Sequence, residues 1–120
     1  MSASSRPELA RASLDVLTQV SATIEDRKAG RGMTNAAGKS YVQRLLDGGP
    51  SKLREKILEE AGELSDAIAS ETDDRVVSEA ADLLFHVMVG LAHRDLELAQ
   101  VAEVLRARMG LSGLDEKASR

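Results

Sequence analysis

"SEAADLLFHVMVGL", residues 78–91, reads as a helix that is apolar over most of its circumference, yet it carries Glu79, Asp82 and His86. Helical residues advance by about 100° each, so positions 79, 82, 86 and 93 fall within an arc of roughly 60°. Gly90 projects no side chain, and the rest of Ala80 to Ala92 is Val, Ala, Leu, Phe and Met. A helix this apolar belongs at the centre of a bundle, with its polar stripe facing something inside the protein or its assembly.

The flanking sequence extends the helical pattern in both directions. Val16, Leu17, Val20 and Ile24 recur at helical spacing and mark a first helix. Ser13 is a candidate N-cap for it, with Asp15 in the first turn, and a start near Pro7 is the alternative. "AGRGMTNAAGK", residues 29–39, is a linker with little periodicity. A short second helix is expected from about Lys39 to Asp47, with Tyr41, Val42, Leu45 and Leu46 on its apolar side. "GGPS" ends it, and Ser51 is placed to cap a third helix reaching Ser70, with an apolar stripe of Leu53, Ile57, Ala61, Leu64 and Ile68. Thr72 caps the fourth helix, whose first turn holds Asp73 and Asp74 where the helix dipole favours negative charge. A fifth runs from Glu97 to Met109 and stops at Gly110. The expected fold is therefore all-α: a compact single domain over residues 1–120, about five helices around a central antiparallel hairpin, with 1–12 and 111–120 as tails.

The bulk numbers narrow the function classes. A net charge of −4, with scattered Lys and Arg and only Tyr41 and Phe85 as aromatic residues, offers no surface for nucleic acid. With no Cys there is no disulfide framework or thiolate metal site. The N-terminal stretch lacks the apolar core of a signal peptide, and no uninterrupted apolar run approaches the roughly 18 residues of a membrane span. A cytoplasmic protein without a membrane partner is expected.

The third helix carries "EEAGE", with Glu59, Glu60 and Glu63 in an arc of roughly 100° that also contains Lys56. The turn around Glu71 and Thr72 is so short that the third and fourth helices must pack antiparallel. Residues equidistant from that turn then face each other: Glu63 and Glu79, Glu60 and Asp82, Lys56 and His86. Taken alone, EExxE is an ordinary solvated acidic face. Here its partner ExxD is embedded in an apolar helix, and desolvated carboxylates without partners cost several kcal/mol each, on the order of a whole domain's margin. One Lys and one His cannot neutralise four or five of them. A hard divalent cation can, and an all-oxygen site suits Mg²⁺, the usual partner of phosphate groups.

EExxE followed closely by ExxD on two antiparallel helices resembles the all-α nucleoside triphosphate pyrophosphohydrolases, the MazG-like superfamily. "SYVQRLLDGG", "KILEEAGELSDAI", "VVSEAADLLFHVMVGLAHRDLELAQVAEVL" and "SGLDEKASR" are similar to its phosphoribosyl-ATP pyrophosphohydrolase branch, over most of residues 13–120. The resemblance implies Mg²⁺-dependent hydrolysis of phosphoribosyl-ATP to phosphoribosyl-AMP and pyrophosphate, the second step of histidine biosynthesis, by a homodimer. It implies that Glu59, Glu60, Glu63, Glu79 and Asp82 hold the metal and orient the water, with catalysis resting on Glu60, Glu63, Glu79 and Asp82. It further implies substrate contacts from Lys56, Ser40, Tyr41 and His86, and it places Lys117 and Arg120 in a tail able to meet phosphates. Two positions depart from the branch: Leu58 stands where Gly is usual, and Gly62 where Thr is common. A Gly in a helix costs about 1 kcal/mol relative to Ala, which suggests close packing or substrate approach beside Glu63.

Two other functions fit parts of this pattern. A housecleaning pyrophosphohydrolase acting on other nucleoside triphosphates would share the carboxylates. A non-enzymatic helical dimerisation module would carry the acids as a solvated face, would tolerate Glu79→Ala and Asp82→Ala, and would not be stabilised by Mg²⁺. Independently of any resemblance, five short helices cannot easily cover a helix as apolar as the fourth, so a second subunit is expected to cover it.

Overall fold

The computed structural model describes residues 5–32 and 38–110, with side-chain surroundings from Asp15 onward. Five helices follow in order: α1 (Ser5–Lys28), α2 (Tyr41–Asp47), α3 (Gly49–Ser70), α4 (Asp73–His93) and α5 (Leu98–Gly110). Helix α1 takes the earlier of the two expected starts, which leaves Ser13 inside the helix and not at its cap. Pro7 lies in its first turn, where a missing N–H costs nothing.

Ser40 caps α2 in a reciprocal box. Its Oγ accepts from the Gln43 N–H at 3.1 Å, and its own N–H donates to Gln43 Oε1 at 3.0 Å. Ser51 does not cap α3. The chain turns at Gly49, the first residue of α3, whose φ of +71° is in the left-handed region; Pro50 follows it, so Ser51 falls within the first turn. Thr72 caps α4 as expected, its hydroxyl accepting from the Arg75 N–H at 3.3 Å. After α4 the chain turns through Asp95, at φ 58°. Lys28, at the end of α1, donates to the Ala92 carbonyl at 2.7 Å and pairs with Asp95 at 2.5 Å. That clamp joins the C-terminal ends of α1 and α4.

Ile24, Val42, Leu45, Leu53, Met88, Val89 and Ala92 form the core, flanked by Leu17, Val20, Leu46, Phe85 and Leu98. Helix α4 touches α1, α2 and α3. Asp82 and Glu79 meet Glu60, while Gly90 lies against Ile57 further back along α3. The two helices thus run antiparallel, as a two-residue connection demands. The buried positions of α3 are Leu53, Glu60 and Ala67, each seven residues apart, so Glu60 occupies a core row. Ile68, expected on the buried stripe, is 67% exposed; the crossing of α3 over α4 gives its place to Ala67.

Helix α4 is not enclosed by its own chain: Val77, Ala80, Ala81 and Leu84 are exposed. At 21 residues and a mean hydropathy of 1.3, α4 is long and apolar enough to cross a membrane by length and composition alone, although no run of roughly 18 apolar residues was expected. Glu79, Asp82 and His86 interrupt it on one face, and charged groups at the centre of a bilayer are costly.

Candidate active site

Buried positions on α3 and α4 bring the acids together. Glu60 from α3 meets Glu79 and Asp82 from α4, and one potential ligand atom of each lies within 4.8 Å of the others. Glu60 is 7% exposed and Glu79 only 3%, whereas Asp82 opens to solvent. Glu60 Oε2 and Glu79 Oε2 are fully buried and meet no hydrogen-bond donor among the described residues. Buried carboxylate oxygens without partners are uncommon because each forfeits its hydration. With Asp82 they bring three carboxylates together, and the donor set is that of a hard divalent cation.

The electrostatics agree. Burial pushes the Glu79 carboxyl above the usual carboxylate range; the neighbouring Glu63 carboxyl adds to this, Arg75 opposes it, and Asp82 adds a smaller push. Neighbouring ionised carboxylates repel, and a proton or a cation between them relieves that repulsion. Arg75 Nη2 lies 2.7 Å from Glu79 Oε1, and its Nε donates to Glu71 at 3.3 Å. On α3, Lys56 donates to Glu59 at 3.3 Å and stands 3.9 Å from Glu60 Oε1. Glu59 above all holds the Lys56 ammonium above its ordinary pKa; burial opposes this, while Tyr41 and Glu60 assist.

The expected residues therefore separate into distinct settings. Glu60, Glu79 and Asp82 converge, and Glu63 flanks Glu79. Glu59 lies outside the triad, on the solvent side with Lys56. His86 is buried and both ring nitrogens are engaged: Nδ1 faces the Asp82 carbonyl at 2.7 Å and Nε2 faces the Tyr41 hydroxyl at 2.9 Å. Because a carbonyl only accepts, Nδ1 carries the hydrogen, and in the neutral ring Nε2 accepts from Tyr41. The His86 Nε2 expected opposite Lys56 pairs instead with the Tyr41 hydroxyl. Tyr41 also stacks on Phe85, with ring centroids 6.2 Å apart, and lies under the Arg44 guanidinium. The Ser40 hydroxyl is committed to the α2 cap. Lys117 and Arg120 lie outside the described residues. A side chain added at Gly62 would meet nothing within 4 Å among the described residues, so close packing against them does not explain that glycine. Arg75 escaped the sequence reading, although its spacing to Glu79 is the same four residues as Lys56 to Glu60.

Fold and site define an all-α protein whose antiparallel helix pair presents the carboxylates of EExxE and ExxD to one another, with Glu60 and Glu79 buried. The chain belongs to the phosphoribosyl-ATP pyrophosphohydrolase family, whose sequence model matches residues 17–109. It is 45% identical to a phosphoribosyl-ATP pyrophosphatase of Cereibacter sphaeroides, over 89% of this chain and 99% of that one. It is 42% identical to one of Neisseria meningitidis serogroup C, over 88% of this chain and 94% of the other. A Nitrosospira multiformis relative of the same name is 43% identical over 88% and 84% of the respective chains. The matched span runs from α1 to α5 and includes every carboxylate described above.

Proposed function

We propose that this protein hydrolyses phosphoribosyl-ATP to phosphoribosyl-AMP and pyrophosphate, the second step of histidine biosynthesis, with Mg²⁺ held by Glu60, Glu79 and Asp82. The family membership supports the substrate. The observation that carries the site is the pair of buried, unpartnered oxygens on Glu60 and Glu79 beside Asp82. A bound Mg²⁺ supplies charge neutralisation at phosphate oxygens and a more acidic water. Glu63, next to Glu79 and open to solvent, is the carboxylate left to accept the proton of the attacking water as the P–O–P bond breaks and pyrophosphate departs. Lys56 presents an ammonium at the edge of the triad for a phosphate oxygen, with Glu59 holding it in place. Tyr41 and His86 fix the adjoining wall between α2 and α4.

The active unit in this reading is a cytoplasmic homodimer. Val77 and Leu84 on α4, and Val101, Val104, Leu105 and Met109 on α5, leave apolar surface exposed in the single chain. A second copy is the natural cover for such surface. A monomeric mass in solution at micromolar concentration removes the dimer from the proposal.

Pyrophosphate release from phosphoribosyl-ATP with Mg²⁺, beside a Glu79→Ala control, tests the function directly. Release that disappears in the control supports substrate and site together. A folded wild-type protein that leaves phosphoribosyl-ATP intact but cleaves other nucleoside triphosphates would favour the housecleaning alternative, with the same carboxylates.

A further inference from the structure

Arg75 occupies an unusual position for a surface residue. Its side chain is 56% exposed, but Nη2 reaches 2.7 Å from Oε1 of Glu79, whose carboxyl is almost wholly buried. The other oxygen of Glu79 meets no donor. Arg75 thus pairs with one oxygen of the Glu79 carboxyl and leaves the other without a donor among the described residues. The same guanidinium has a second anion within reach, since its Nε donates to Glu71 at 3.3 Å. Glu71 follows α3 in the connection to α4 and is exposed, so Arg75 can withdraw from Glu79 without being left unpaired. On the other helix, Lys56 is divided in the same manner between exposed Glu59 and buried Glu60. Each buried ligand-bearing glutamate is therefore approached by a cation four residues earlier that also has an exposed acid to retreat to.

We propose that Arg75 is a resident counter-ion of the carboxylate site, a positioning residue that steadies the metal-free protein and competes with the incoming divalent cation for Glu79. The inference rests on the metal site proposed above. Two charge effects of opposite sign follow. Without metal, the guanidinium relieves repulsion among Glu60, Glu63, Glu79 and Asp82. With metal, the same positive charge, one carboxylate away from a doubly charged ion, opposes binding. Charges about 5 Å apart in a water-like medium interact strongly enough for this to change the dissociation constant on the order of tenfold.

The test is Arg75→Gln compared with the wild-type protein, using Mn²⁺ and Mg²⁺ titrations by calorimetry and melting in EDTA. The expected result is a lower melting temperature in EDTA together with cation binding about tenfold tighter. Arg75→Lys, which keeps the charge but loses the fork, should fall between the two. A residue with a merely structural role would lower stability and weaken binding together. Unchanged or weaker cation binding by Arg75→Gln, while wild type binds and Glu79→Gln does not, overturns the counter-ion role and leaves the metal site standing. Wild-type protein that binds neither cation overturns the metal site itself, and this inference with it.

Discussion

Replacing Glu60 with Gln should make the metal-free protein melt higher and, in the same stroke, remove its response to Mg²⁺. Glu60 is buried in a core row between Leu53 and Ala67, its Oε2 meets no donor, and it lies within 4.8 Å of ligand atoms on Glu79 and Asp82. At that separation two ionised carboxylates repel by about 1 kcal/mol in water and about 3.5 kcal/mol at an effective dielectric of 20. Lys56, 3.9 Å from Oε1, offsets only part of this, since pairs at a protein surface are worth less than about 1 kcal/mol. The amide has the same shape and turns two N–H donors toward acceptors that now face bare oxygen. A net gain of about 1–2 kcal/mol follows, or roughly 4–8 °C for a chain of this size. Wild-type protein at a Mg²⁺ concentration 100 times its dissociation constant should gain about 2.7 kcal/mol. The variant, with a neutral group in place of one ligand, should gain little and lose most of its kcat/KM. Scanning calorimetry in EDTA and across a Mg²⁺ series reads both effects. A Glu60→Gln protein that melts below wild type in EDTA, or keeps the full Mg²⁺ shift, would refute the assignment; superimposable melts throughout would mean a solvated acidic face.

Three further outcomes follow from the geometry. Tyr41→Phe keeps the stacking on Phe85 but strips the buried His86 Nε2 of its partner; it should cost about 1–2 kcal/mol in a denaturant melt while leaving the carboxylate triad able to bind Mn²⁺. Lys28→Met removes the donor to the Ala92 carbonyl and the pairing with Asp95; it should cost about 1 kcal/mol, with hydrogen exchange rising first at the α4 terminus. The Glu79 carboxyl is raised above its ordinary 4.5 in the folded protein. In EDTA its contribution therefore favours folding below pH 4.5 and is lost as pH rises through the elevated folded value. In Mg²⁺ the trend from this group should reverse, because the cation requires the ionised form. Melting curves from pH 4 to 8, compared between wild type and Glu79→Gln, check both signs.

Much of the molecule was legible before any coordinates, because helices announce themselves locally. The 3.6-residue period of "SEAADLLFHVMVGL", the Thr72 cap and the Gly110 stop placed α4 and α5 to within a residue or so of where they lie. A two-residue connection leaves α3 and α4 no arrangement but antiparallel, so Glu60, Glu79 and Asp82 had to meet, and EExxE with ExxD carried the family resemblance that the matched span bears out. The misplacements have a common origin in competition between local signals. Ser13 and Ser51 are good caps in isolation, but a longer α1 and a Gly49–Pro50 turn claimed their positions.

What only the tertiary structure decided is which member of each pair of neighbours is buried. Glu59 and Glu60 are adjacent letters separated by about 100° around the helix, and nothing local states which one the crossing of α3 over α4 will turn inward. Packing put Glu60 in the core row and left Glu59 with Lys56; it exposed Ile68 and buried Ala67. It consumed the Ser40 hydroxyl in a cap and both His86 nitrogens in bonds to Asp82 and Tyr41. It also aimed Arg75 at Glu79, a pairing that spacing permits and packing alone selects. The chemistry of the site was written in the sequence because it depends on residue types at helical spacing. The number of its oxygens left without partners was not, because desolvation is a property of what packs around a group and not of the group itself.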